Sequence, residues 1–110
     1  MPNTNSQVNV SVTFRHTDPT DALKSYVSDK LEHCVRKYVK GVSDVHVVLS
    51  VEKRDHIAES TVRAKGFDVA AKASTDDLYS AIDKMLSSVD AQLRKQKERT
   101  VQHKHQAPAF

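Results

Sequence analysis

Apolar and polar residues alternate strictly from Gln7 to Phe14. Val8, Val10, Val12 and Phe14 fall on one side; Gln7, Asn9, Ser11 and Thr13 fall on the other. A period of two carried by β-branched side chains predicts a strand with one buried face. Asp18-Pro19-Thr20-Asp21 then reads as a helix start. Asp18 is placed to cap, Pro19 suits the first helical position, and Asp21 stands where a capping box wants an acid. Leu23, Tyr26, Val27, Leu31, Cys34, Val35 and Tyr38 follow at helical spacing as one apolar stripe. Gly41 is expected to end this helix as a left-handed cap.

Alternation returns at Val45, Val47, Leu49 and Val51, with Val48 interrupting the polar side. Lys53-Arg54-Asp55 reads as a polar connection. Ala58, Ser60, Val62 and Ala64 form the small-residue face of a third strand, and Gly66 marks a tight turn into a fourth with Phe67, Val69, Ala71 and Ala73 inward. These small inward residues leave room for a helix to lie close. Ser74 or Thr75 is the expected cap of the last helix, with Asp76 and Asp77 in its first turn. Leu78, Ala81, Ile82, Met85, Leu86, Val89 and Leu93 build its stripe. Past Leu93 the segment turns basic, the helix is expected to reach about Thr100, and 101–110 reads as a flexible tail.

The order is β-α-β-β-β-α. A right-handed crossover joins two parallel strands, a meander follows, and two helices pack side by side on one face of a four-stranded sheet: an α+β fold. At 110 residues and 12.3 kDa the chain has room for one domain, read as 1–100. No apolar run approaches the roughly 18–20 residues that span a bilayer, so no membrane is expected. Met1 to Gln7 lacks the pattern of a secretory signal, and the single Cys34 cannot form an internal disulfide, so the cytoplasm is the expected compartment.

Charge adds the first functional clue. Of the net +3, the stretch Arg94 to His105 carries five Lys and Arg against Glu98, or +4, leaving the rest at −1. A basic end on a near-neutral body points to a polyanion. Lys24, Lys30, Arg36, Lys37 and Lys40 lie off the stripe of the first helix, and Lys84, Arg94, Lys95, Lys97 and Arg99 off that of the second. Side by side, the two helices would present one broad surface able to follow a phosphate backbone, diluted by Asp29, Glu32 and Asp90.

Other chemistry has little support. No phosphate-cradling loop or nucleophile elbow occurs, and the six histidines show no metal-ligand spacing. Asp76 and Asp77 are explained as capping residues, with Asp83 one turn on. Cys34 is read as a packed thiol, and Tyr79 as packing against the first helix. No enzyme activity, cofactor, metal or small-molecule substrate is expected.

Three segments carry a resemblance: Val45-His46-Val47-Val48-Leu49-Ser50-Val51-Glu52-Lys53, Asp77-Leu78-Tyr79-Ser80-Ala81-Ile82-Asp83, and Gln92-Leu93-Arg94-Lys95-Gln96-Lys97. From about Val8 to Arg99 the chain resembles the bacterial ribosome hibernation factors, in the short hibernation-promoting form, with ribosome-associated protein Y similar over the same region. The resemblance implies a fold akin to double-stranded RNA-binding domains. It implies binding to 16S rRNA of the small ribosomal subunit in the channel used by mRNA and tRNA. It also implies blocked translation in resting cells and inactive 70S or dimeric 100S ribosomes, the latter with a separate modulation factor. Lys24, Lys30, Lys95 and Lys97 fall at basic positions of the family, and Arg99 in a basic stretch. Leu78 replaces a more usual Met, and Val39 to Ser43 is one residue longer than the pattern. The long form, with a second domain, and protein Y, with an acidic tail, are not expected. The competing expectation is a generic double-stranded RNA-binding domain without ribosome specificity.

Overall fold

Each strand offers one apolar face, and two helices settle on it. The computed structural model describes the backbone of residues 6–106 and the side chains of 6–99. Its elements are β1 (Ser6–Arg15), α1 (Asp21–Arg36), β2 (Gly41–Glu52), β3 (Asp55–Ala64), β4 (Phe67–Thr75) and α2 (Leu78–Gln106). β1 and β2 are parallel, the other neighbours are antiparallel, and the sheet runs β1-β2-β3-β4. Fold class and element order are those expected from the periodicity.

Val45, Val47 and Leu49 of central β2 are buried at the middle of the core, facing Val27, Leu31 and Val35 of α1 and Ile82, Met85 and Val89 of α2. Burying each such side chain stabilises the fold by about 1.5–3 kcal/mol. α1 packs over β1, and α2 over β3 and β4. The inward residues beneath α2 include small ones, Ala58, Ser60, Ala71 and Ala73, alongside Val62 and Val69. The edge strand β1 keeps Val8, Val10, Val12 and Phe14 only half-buried.

Several element ends depart from expectation. Thr20, not Asp18, caps α1: its backbone is extended and its Oγ1 accepts the Leu23 N–H at 3.2 Å. Asp18 precedes a proline, which disfavours helical backbone there, and Asp21 becomes the first helical residue. α1 stops at Arg36 rather than running to Gly41. Val39 must turn into the core, where it is buried and its carbonyl accepts from the Ser6 hydroxyl at 3.0 Å. Tyr38 therefore lies past the helix, and Gly41, with φ +86°, opens β2. Asp77, not Ser74 or Thr75, caps α2. Its carboxylate accepts the N–H groups of Tyr79 and Ser80 and the Ser80 hydroxyl, while Thr75 Oγ1 accepts the Asp77 N–H. A carboxylate is the stronger acceptor at a positive helix end, and those bonds, led by the Ser80 hydroxyl, hold Asp77 below the usual carboxylate range.

The hairpins are two-residue turns, Lys53-Arg54 and Lys65-Gly66. Asp55, expected in the first connection, instead pairs with Glu52. α2 extends to Gln106, past the expected end near Thr100. Of the segment read as a tail, 107–110 lies outside the described residues, Phe110 included.

Contacts between the helices advance in step. Tyr26 meets Tyr79 and Asp83 near the start, and Cys34, Lys37 and Tyr38 meet Asp90 further on, so α1 and α2 run parallel. Asp90 is the main polar tie. One carboxylate oxygen accepts from Lys37 Nζ at 2.8 Å, Tyr38 Oη at 3.0 Å and, more weakly, Cys34 Sγ at 3.7 Å. The Lys37 bond holds the Asp90 carboxyl below its usual range, and Lys37 is raised by the same bond. Burial first, then Asp90, pushes the Cys34 thiol up to about 11, which keeps it a protonated packing group.

α2 also closes part of one sheet edge. Gln96 Nε2 donates to Asp68 O at 2.9 Å while its Oε1 accepts the Asp68 N–H at 3.0 Å, and Gln92 Nε2 donates to Ala70 O at 2.9 Å. The Gln96 amide thus mimics a neighbouring strand on β4.

Two outcomes follow for stability. Val47→Asp places a charge in the centre of the core at a cost of several kcal/mol, much of a small domain's stability. Circular dichroism should show an unfolded or strongly destabilised chain; an unchanged melt would contradict the inward register of β2. Asp90 carries a depressed pKa, so its contribution is present above the unfolded carboxylate range and lost as pH falls through the folded value. Asp90→Asn should therefore lower the Tm by several degrees at pH 7, and the gap to wild type should narrow as pH falls below the usual carboxylate value of about 3.9. Equal melts at pH 7 would remove Asp90 from its role.

Candidate nucleic-acid interface on the helix layer

With their apolar stripes turned to the sheet, α1 and α2 direct their cations to solvent. Between them lies an open groove of ≈ 550 Å³, whose lining includes Lys30 and His33 of α1, Lys37 just past its end, and Leu86, Asp90 and Arg94 of α2. Lys30 Nζ sits 5.0 Å above the Tyr26 ring. That ring is itself fixed, edge-on to Tyr79 at 4.9 Å and with its hydroxyl donating to Asp83 at 2.7 Å. The cation–π contact steadies the ammonium without cancelling its charge. Lys37 is different, since Asp90 neutralises it within the groove.

The nine cations expected to bind RNA fall into separate groups. Lys30, Lys37 and Arg94 meet in the groove. Lys84, Lys95 and Arg99 form a row along α2: at ~100° per residue they share one flank, turned from α1 toward the β4 edge, and all three are exposed. Lys95 and Arg99 lie beyond Leu93, the last buried residue of α2. Lys97 is half-buried. Lys24 is exposed on α1 but does not line the groove. Arg36 is held by Glu32 at 2.7 Å, borders a smaller depression with Asp29 and His33, and has a buried Nε without a hydrogen-bond partner among the described residues.

The carboxylates diluting the surface are also its fasteners. Asp83 holds Tyr26, Asp90 holds Lys37 and Tyr38, and Glu32 holds Arg36. Neither Asp90 nor His33 stands out in the sequence as part of a site, because each is one off-stripe polar residue on a helix. Only knowing which helix faces which brings them together. Asp77 and Asp83 serve as cap and tether. Among the described residues no cluster of His, Cys, Asp or Glu is arranged to hold a metal. No helix among them is long and apolar enough to cross a membrane.

Comparison with known proteins gives the family. The family model described as sigma 54 modulation protein / S30EA ribosomal protein matches residues 10–101. A ribosome hibernation promoting factor of Azotobacter vinelandii is 36% identical over 104 residues, 94% of each chain. That of Escherichia coli K12 is 32% identical over 94 residues, 86% of this chain and 98% of its own. Among solved structures, the N-terminal domain of Thermus thermophilus protein Y superposes with a TM-score of 0.73 at 32% identity, covering 79% of this chain and 97% of that one. A ribosomal subunit interface protein from Coxiella burnetii shares the fold, with a TM-score of 0.72 at 24% identity over 82% of this chain and 98% of that one. The chain belongs to the S30EA ribosomal protein family, together with the ribosome hibernation promoting factors.

Proposed function

We propose that this chain is a non-catalytic ribosome hibernation factor of the cytoplasm. In this reading its helix layer binds 16S rRNA of the small subunit in the decoding channel. It excludes mRNA and tRNA by occupying their space, and it stabilises inactive 70S or dimeric 100S ribosomes in resting or stressed cells, alongside a separate modulation factor. The observation that carries the reading is the row Lys84, Lys95 and Arg99 beside the groove cations Lys30 and Arg94, exposed on one layer of a fold whose relatives are named as hibernation factors. Phosphate contacts of this kind fix position and supply affinity without reading sequence. Lys24 and Lys97 extend the set. Arg36 and Lys37 must release Glu32 and Asp90 before they can contact phosphate.

The reading is tested by sedimenting ribosomes with added protein and blotting across the 30S, 70S and 100S fractions, with duplex RNA as competitor. Retention on 30S subunits that duplex RNA does not displace is expected. Displacement by equimolar duplex would favour the generic RNA-binding alternative.

Two further outcomes follow. Lys95→Glu with Arg99→Glu should abolish co-sedimentation with 30S subunits and inhibition of translation in an extract. Both sites lie past the core, so stability should change by under about 0.5 kcal/mol. A double variant that still binds at moderate salt would move the interface to Lys30 and Arg94. Wild-type affinity should also fall steeply with salt, with a slope of roughly 0.7–0.9 in log K per phosphate neutralised; a flat response would rule out a phosphate-based contact.

A further inference from the structure

The two edges of the sheet are treated differently. The outer edge of β4 is partly taken by Gln92 and Gln96 of α2. No backbone hydrogen bond from another described element reaches the outer edge of β1, although every second residue of an edge strand turns its N–H and C=O outward. The usual safeguards of an exposed edge are also missing. Ser6 to Phe14 holds no charged residue and no proline, and its pairing with β2 continues without a bulge from Ser6↔Gly41 to Arg15↔Ser50.

We propose that β1 pairs antiparallel with β1 of a second copy of this chain, with Ser11 on the two-fold axis. The residues favour this occupant because the strand is complementary to itself in that register. On the inner face Val10 meets the partner's Val12, and Val8 meets the partner's Phe14. These side chains are left half-buried by α1, and aromatic–β-branched pairs of this kind are favourable. On the outer face Asn9 meets the partner's Thr13. The only charged residue of the strand, Arg15, meets the partner's Gln7, so no like charges are opposed. The result is a continuous eight-stranded sheet with both α2 cation rows at its far ends, clear of the junction. The inference does not depend on the ribosomal reading.

The test is sedimentation equilibrium of the full chain from about 10 μM to about 1 mM, a range suited to an interface smaller than the standard ~800 Å² per partner. Wild type is expected to shift from monomer to dimer across it. Because Ser11 opposes itself, Ser11→Lys and Ser11→Glu should each be monomeric throughout, and an equimolar mixture should form a heterodimer. Ser11 is exposed on the outer face, so melts of both variants should stay near wild type, and recovery in the mixture shows directly that both are folded. A wild type that stays monomeric at 1 mM overturns the proposal, as does a Ser11→Lys chain that dimerises like wild type. A mixture that remains monomeric overturns the register.

Discussion

Burial of two helix stripes on a single face of the sheet is the constraint on which the rest depends. The central strand β2 supplies Val45, Val47 and Leu49, and both helices must reach them. Once α1 lies over β1 and α2 over β3 and β4, the rotation of each helix is fixed, and with it the direction of every cation it carries. The small inward residues of β3 and β4 let α2 sit low enough for its flank glutamines to reach the β4 backbone. Hydrophobic packing therefore positions the basic surface, although no cation takes part in it.

Polar contacts refine that arrangement. Asp83 ties α2 to Tyr26 and Asp90 ties it to Lys37, and of these Lys37 and Asp90 line the groove. The carboxylates remove some positive charge and fix what remains. Lys30 keeps its charge over an aromatic ring, whereas Lys37 shares its own with Asp90. The two lysines line the same groove yet differ in what they have free to offer a phosphate.

Much of this was legible in the sequence. Alternation identified all four strands and their inward faces, strictly in β1 and with Val48 as an interruption in β2, and stripe spacing identified both helices. Boundaries were harder, because capping residues compete locally: Asp18, Thr20 and Asp21 all suit a helix start, and the choice of Thr20 reflects the proline between the first two. Gly41 was correctly read as left-handed, but it serves the strand, since burial of Val39 ends the helix earlier. The candidate cations were legible as a list and not as a surface. Their division into groove and outer row depends on which helix neighbours which. The Gln96 clasp left no sequence signal beyond the Gln92–Gln96 spacing, because a glutamine on a helix flank resembles any solvated side chain.

The central claim is that the helix layer, and not the open face of the sheet, meets the ribosome. Lysine-reactivity footprinting of the chain, free and bound to small subunits, tests it directly. The account predicts that acylation of Lys30, Lys84 and Lys95 is suppressed in the complex, while Lys53 and Lys65 in the hairpins and Lys72 on the sheet react as in the free protein. Protection confined to Lys53, Lys65 and Lys72 would contradict it.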